Sequence, residues 1–167
     1  MRFLSDSECV AWCSTRDIGI LPDRNSYPAI EEPEFHFVDL TYDADSGRKV
    51  ATAHHLLSLV EPAPETLLWV CAWSIWPSSE HMPLFNRFRQ ALGEQRPLIE
   101  TPGHLVTAAD RDDALSVVAT SLLFIWDCFG ISATGRNAFK VSHDEYCWFA
   151  SRDQDVADRL SRKLAAA

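Results

Sequence analysis

Residues 114–129 read ALSVVATSLLFIWDCF, and nearly every residue in this stretch is apolar. A segment that is apolar on all sides predicts a helix buried at the centre of the fold, and Asp110 before it can serve as the N-cap. Residues 138–151 then alternate as expected for a strand-turn-strand. The tip of that hairpin consists of Ser142, His143, Asp144 and Glu145. The two elements are therefore predicted to bring an imidazole and carboxylates to one place.

Two further strands are predicted from their side-chain patterns. Residues 35–42 alternate and carry aromatic side chains, which is typical of a strand with one buried face. Residues 67–76 are apolar on both faces, which favours a central strand covered on both sides. Within the hairpin, one strand is expected to direct Phe139, Val141 and His143 to one face, and the other to place Tyr146, Trp148 and Ala150 opposite them.

Helices are predicted from capping and periodicity. Ser5 and Glu8 have the spacing of a capping box at the start of a short N-terminal helix. Residues 84–92 show an apolar helical stripe, and residues 153–164 read as a C-terminal helix with a basic last turn. Residues 48–60 fit a helical period, although an alternating strand fits them as well.

Together these elements predict a single α+β domain spanning residues 1–167. One domain is expected because a chain of 167 residues is close to the usual domain size. A small mixed sheet, built from residues 35–42, 67–76 and the 138–151 hairpin, would pack against four or five helices.

The chain is acidic: Lys and Arg number 15, Asp and Glu number 24, and the formal net charge is 15 − 24 = −9. A negative field repels phosphate backbones and anionic lipids, and it attracts basic proteins. We therefore expect a basic protein partner and no binding to nucleic acid.

No membrane span or export signal is expected. The longest apolar run, residues 122–131, is interrupted by Asp127 and is too short to cross a bilayer. The first residues resemble the entry to a capped helix rather than a signal peptide. A cytoplasmic protein is therefore predicted.

The five cysteines are predicted to be reduced thiols, because their number is odd and their spacing is not that of a disulfide framework. Cys9 and Cys13 have helical i, i+4 spacing, but no other residues complete a set of four metal ligands. Cys71, Cys128 and Cys147 are flanked by aromatic residues and read as small core side chains. We expect neither a metal ion nor a cofactor.

The leading functional hypothesis is a non-enzymatic acidic binding module, of the kind represented by toxin-neutralising immunity proteins or adaptors. Residues 19–34 are predicted to form a long loop that can present carboxylates to a basic partner. The candidate binding residues are Asp23, Tyr27, Glu31, Glu32 and Glu34 in this loop, Arg87 and Arg89 on the outer face of the 84–92 helix, and Asp144 and Glu145 at the hairpin tip.

Two alternatives remain open. A small hydrolase or transferase would use His143 and His104, with Glu80 or Asp127 as the carboxylate and an arginine as an anion clamp. His104 would lie in a Pro-Gly-His turn, and Asp127, in the last helical turn, would need a partner such as Arg136, His143 or a ligand. Such an enzyme requires the histidines and a carboxylate to converge around a pocket. The common catalytic signatures are absent from the sequence.

The other alternative is a structural subunit that buries a Trp-rich surface in an oligomer.

Several segments also suggest a relationship. The sequence contains WSIWPSSE at residues 73–80, PGHL at residues 102–105 and WD at residues 126–127. With these segments in this order, the chain resembles a group of uncharacterised bacterial proteins over residues 65–150. The resemblance implies a bacterial origin and a shared core, and it assigns no activity and no role to any residue.

Overall fold

The computed structural model describes residues 1–21, 27–40, 45–60, 64–73, 75 and 81–165. Two of the candidate residues, Asp23 and Glu80, lie outside the described residues.

A seven-stranded antiparallel sheet forms the centre of the described part of the chain. Its strands are β1 (Arg2–Leu4), β2 (His36–Leu40), β3 (Thr66–Ala72), β4 (Gly103–Val106), β5 (Asp127–Ser132), β6 (Asn137–Val141) and β7 (Cys147–Ser151). They are arranged in the order β1-β4-β3-β5-β6-β7-β2. The predicted α+β class is confirmed. The sheet is larger than the small mixed sheet expected from the sequence, and its pairings are antiparallel rather than mixed.

Five α-helices accompany the sheet in the described residues. They are α1 (Asp6–Ser14), α2 (Ser46–Val60), α3 (Met82–Ala91), α4 (Arg111–Leu123) and α5 (Gln154–Ala165). The capping box of α1 is confirmed: Ser5 Oγ accepts from the Glu8 N–H, and the Glu8 carboxylate accepts from the Ser5 N–H at 2.7 Å. The 48–60 segment is helical, which resolves the ambiguity in its pattern.

The two faces of the sheet are covered differently. On one side, which we call the helix face, Leu56 of α2, Val117 of α4 and Leu160 of α5 share a core with strand residues such as Phe139 and Phe149. On the other side, which we call the loop face, the described cover consists of α1 and residues from the ranges 15–21 and 27–35. The side chains covering the loop face include those of Cys9, Trp12, Ile18, Ile30 and Phe35.

The predicted long central helix is wrong at its C-terminal end. Helix α4 stops at Leu123, and Asp127 is the first residue of strand β5. The chain reverses at Ile125, which adopts φ 57°, while the Trp126 N–H donates to the Ser121 carbonyl at 2.9 Å. This 6→1 bond around a left-handed residue is a Schellman closure, which usually contains glycine. With isoleucine in that position, neither composition nor periodicity marks the boundary between a buried helix and a buried strand.

The facing of the hairpin also differs from the prediction. Phe139 pairs with Phe149 and Lys140 pairs with Trp148, so Lys140 and Trp148 lie on the same face of the sheet. The connection is a longer loop, residues 142–146, in which Glu145 adopts φ 59°. A loop of this length shifts the register relative to a two-residue turn at Asp144 and Glu145.

Candidate functional site

The polar centre of the loop face is the carboxylate of Asp127, which is 1% exposed. The Asp127 Oδ1 atom lies 2.8 Å from His143 Nδ1 and also accepts the His143 backbone N–H at 2.7 Å. Its Oδ2 atom accepts a hydrogen bond from the hydroxyl of Tyr27. Asp127 therefore joins the start of β5 to the hairpin tip and to the segment that precedes β2.

The expectation that Asp127 needs a partner is confirmed, and His143 is one of the partners that the sequence suggested. The reason given for it is wrong, because Asp127 begins a strand and does not oppose the dipole of a helix. Its buried carboxylate instead needs hydrogen bonds because burying a charge without them is costly.

The imidazole of His143 is oriented by this carboxylate. Its second ring nitrogen, Nε2, faces the carboxylate of Asp144 at 3.5 Å, and Asp144 is largely exposed. The neighbouring hydroxyl, Ser142 Oγ, is fully buried and accepts from the Asp144 backbone N–H at 3.2 Å. The network thus fixes the conformation of the hairpin tip, and it does not place the Ser142 hydroxyl as a nucleophile activated by His143.

A second feature of the loop face is Lys140, which is only 6% exposed although it carries an ammonium group. Strand pairing places Lys140 between Phe129 of β5 and Trp148 of β7. Its Nζ atom donates to the Tyr146 hydroxyl at 3.1 Å. The same Nζ atom lies 5.5 Å from the ring centre of Tyr27, 5.6 Å from that of Phe129 and 5.3 Å from that of Tyr146.

A pocket of about 270 Å³ opens above Lys140. The residues that line it include Tyr27, Glu31, Phe37, Lys140, Tyr146 and Trp148. Phe37 and Trp148 meet edge to face at 5.1 Å, so the wall on the β2 side is aromatic. Its walls combine flat apolar surfaces with one cation and one carboxylate, a composition typical of ligand sites.

Several of the predicted binding residues surround this pocket. Tyr27 and Glu31 line it, and Glu32 and Glu34 are exposed in the same segment. Asp144 and Glu145 are exposed immediately before the lining residue Tyr146. The Glu34 carboxylate lies 3.6 Å from the guanidinium of Arg152, so it is partly engaged within the protein.

The two predicted arginines lie elsewhere. Arg87 is exposed on α3, which packs through Phe85 on the helix face. Arg89 was expected to be exposed but is 1% exposed, and its guanidinium donates to the Thr101 carbonyl at 2.8 Å and the Arg96 carbonyl at 3.2 Å. It follows Phe85 by four residues and therefore shares the buried side of α3. The prediction of Arg89 as a binding residue or anion clamp is corrected: it holds the loop after α3.

His104 is not part of the site. It lies in β4 rather than in a loop, is fully buried, and contacts the rings of Phe3 and Phe85 at 5.5 and 5.8 Å. It pairs with Leu68 on the helix face, whereas Asp127 and its partner His143 lie on the loop face. Burial, reinforced by the charge of Arg89, lowers the pKa of His104 to about 3. The convergence of His104 and His143 that the enzyme alternative requires is therefore not found.

The cysteines are free and mostly buried. Burial raises the pKa of Cys13, Cys128 and Cys147 to about 12, so these thiols resist ionisation at neutral pH. Burial also raises the pKa of Cys9 and Cys71. Among the described residues, no group of three or more His, Cys, Asp or Glu side chains is arranged to hold a metal ion.

Lys140 is the functional candidate that the sequence reasoning missed. A signal was present, because Lys140 interrupts the apolar strand Phe139–Val141 at a position that cannot point to the same face as its neighbours. Of the aromatic residues around it, the register of the strands brings Phe129 and Trp148 to Lys140, and Tyr27 and Tyr146 come from segments outside the strands.

In the part of the chain that the structure describes, no helix has the length and apolar character that crossing a membrane would require. No family model, curated protein or solved structure matches the chain. The resemblance to bacterial proteins therefore stays a prediction.

Proposed function

We propose that this domain is a non-enzymatic binding module that recognises a basic protein through the region of the loop face around the pocket. The observation that carries the proposal is a group of partly exposed aromatic side chains flanked by exposed carboxylates. Toxin-neutralising immunity proteins are one class that would use such a surface, as the sequence suggested.

The centre of this surface is aromatic. Tyr146 is 41% exposed, and Tyr27, Phe37 and Trp148 are half-buried around the pocket. Tyrosine and tryptophan supply much of the binding energy in protein interfaces, because they bury a large area while losing few rotamers. These side chains can therefore provide affinity.

The border of this surface is acidic on two sides. Glu31 and Glu32 lie on the side of the segment before β2, and Asp144 and Glu145 lie on the side of the hairpin tip. Exposed rim charges contribute mainly to the association rate and to partner choice. Together with the net charge of −9, they favour a basic partner.

The Asp127 network makes this surface rigid. Tyr27 and the hairpin tip, which carry two sides of the pocket, are both hydrogen-bonded to the same buried carboxylate. A surface that is ordered before binding loses less entropy when the partner docks.

The alternatives have less support. The enzyme hypothesis relied on two histidines, and they lie on opposite faces of the sheet. The oligomer hypothesis relied on exposed tryptophans. Of the five that the structure describes, Trp12, Trp69 and Trp126 are buried, and Trp73 and Trp148 are half-buried; Trp76 lies outside the described residues.

The proposal is tested with charge-reversal variants and a matched control. The test variant carries Glu31→Lys and Glu32→Lys, and the control carries Glu100→Lys and Asp158→Lys, which change the net charge equally at exposed positions outside this surface. Wild-type protein is used to capture the partner from the native host, and association rates are then measured at low and high salt.

We expect the captured protein to be basic and the test variant to associate roughly tenfold more slowly at low salt, with a flatter salt dependence. The control variant should change the rate much less. An acidic partner, or equal effects of the two variants, would contradict the proposal.

A further inference from the structure

The charge of Lys140 lacks a carboxylate partner within the described residues. The residue is 6% exposed, and the ion pairs found among the described residues do not include it. A buried ammonium group is normally paired with a carboxylate or bound to several acceptors. Here its hydrogen-bond partner is the neutral hydroxyl of Tyr146.

Aromatic rings stabilise the ammonium group only in part. The ring centres of Tyr27, Phe129 and Tyr146 lie between 5.3 and 5.6 Å from Nζ, within the range of cation–π attraction. Rings accept no strong hydrogen bonds, whereas a lysine has three N–H donors. Donor capacity therefore remains on Lys140, which lines the pocket.

Tyr146 supplies a second donor beside the first. Its hydroxyl oxygen accepts the Lys140 N–H, and its own hydrogen stays available because a phenol both accepts and donates. Two donors 3.1 Å apart on the pocket wall match the two oxygens of a carboxylate, and hydrogen bonds between charged groups are the stronger kind.

The rest of the pocket favours a flat apolar body on that carboxylate. Phe37, Tyr27 and Trp148 line the cavity with aromatic side chains. A volume of about 270 Å³ lies at the small end of the range for ligand pockets, which favours a small molecule.

Nearby carboxylates set a limit on the charge of the ligand. Glu31 lines the pocket, and Asp39 lies beyond Trp148 in the same cross-strand row as Lys140. Their negative charges disfavour a dianion such as phosphate more than a monoanion.

We propose that this pocket binds a small aromatic monocarboxylate, whose carboxylate is held by Lys140 and Tyr146 and whose ring lies among Tyr27, Phe37 and Trp148. The inference concerns a free small molecule at the aromatic centre of the surface described above. Its test uses the purified protein without a protein partner, so its failure is distinguishable from failure of the proposed function.

The test uses benzoate, its neutral isostere benzamide, and inorganic phosphate, titrated into the full-length protein and followed by calorimetry and amide NMR shifts. Saturable benzoate binding is expected, with shifts centred on β6 and β7. Benzamide should bind at least about tenfold more weakly, because it loses the charge-assisted hydrogen bond. Phosphate should bind more weakly than benzoate.

Variants locate the site. Lys140→Met should abolish measurable benzoate binding, and Tyr146→Phe, which keeps the ring, should weaken it severalfold. Arg159→Met removes an exposed cation from α5 and should leave binding unchanged. The proposal is overturned if benzoate does not bind saturably, if benzamide binds equally well, or if Arg159→Met weakens binding as much as Tyr146→Phe. The Tyr146→Phe and benzamide comparisons decide the matter if Lys140→Met does not fold.

Discussion

The helix face and the loop face of the sheet both bury polar side chains, but they treat them differently. On the helix face, His104 sits between aromatic rings, and no side chain of the described residues hydrogen-bonds its two ring nitrogens. On the loop face, Asp127 accepts three hydrogen bonds, and Lys140 is enclosed by rings beside a tyrosine hydroxyl. Burial alone therefore does not identify a functional residue. The groups that surround a buried polar side chain distinguish the two faces.

The largest expected effect concerns the core of the helix face. Trp126 is 1% exposed and packs edge to face on Phe85 at 5.2 Å. Trp126→Ala should lower the free energy of unfolding by roughly 3–5 kcal/mol, as measured by urea denaturation. Leu123→Ala, at a 37% exposed position, is the control. Near-equal losses in the two variants would show that the helix face is not the main core.

The next prediction uses the neutral state of His104. In the unfolded chain its imidazole gains a proton near pH 6.5, but in the folded protein only near pH 3. Between these values the unfolded state binds more protons, so stability falls as the pH falls. Lowering the pH from 7 to 4 should cost wild type about 3 kcal/mol more than His104→Leu.

Denaturant titrations of both proteins at several pH values measure this difference. Parallel curves of stability against pH for wild type and His104→Leu would mean that His104 becomes protonated in the folded state and that water reaches its side chain.

A smaller loss is expected on the loop face. Asp127→Asn replaces an oxygen that accepts a hydrogen bond with an amide donor, and it should destabilise the protein by about 2–3 kcal/mol. Asp144→Asn, at an exposed carboxylate, should change stability by less than about 0.5 kcal/mol. A thermal denaturation series that gave equal shifts for both variants would remove Asp127 from its central role.

The smallest effect is expected for Lys140, and it sharpens the contrast between the faces. If the ammonium group is kept for ligand binding rather than for stability, Lys140→Met should leave the free energy of unfolding within about 1 kcal/mol of wild type, or raise it. A loss above about 2 kcal/mol in chemical denaturation would indicate that the contacts with the rings and Tyr146 outweigh the cost of burying the charge.

Local signals made part of the fold predictable. The capping box at Ser5, the apolar strand from residue 67 and the amphipathic stripe of α3 each depend on neighbouring residues, and each was predicted from the sequence. Strands β1 and β4 were missed because they are three and four residues long and show too few alternations. The α4–β5 boundary was missed because Ile125 occupies a position where glycine is the usual signal.

The candidate site was predictable only where the local sequence shows the polar groups that interact. The pairing of Asp127 with His143 was one of the alternatives considered, although it was inferred from a helix dipole that Asp127, as the first residue of β5, does not meet. The surroundings of Lys140 depend on which residues face each other across three strands. The length of the 142–146 loop bears on the pairing of Lys140 with Trp148, and the pairing of Lys140 with Phe129 belongs to the separate β5–β6 connection. The wrong role expected for Arg89 was avoidable, because its spacing from Phe85 already placed it inward.

The Asp127 network also bears on how the chain folds. Tyr27 and Asp127 are separated by 100 residues, whereas His143 is only 16 residues from Asp127. Closing the longer loop costs more chain entropy, so the hairpin should dock on β5 first and the segment carrying Tyr27 should arrive late. Tyr27→Phe should accordingly speed unfolding and leave the refolding rate nearly unchanged, which stopped-flow kinetics can measure. The recognition surface would then be the last region to form and the first to open.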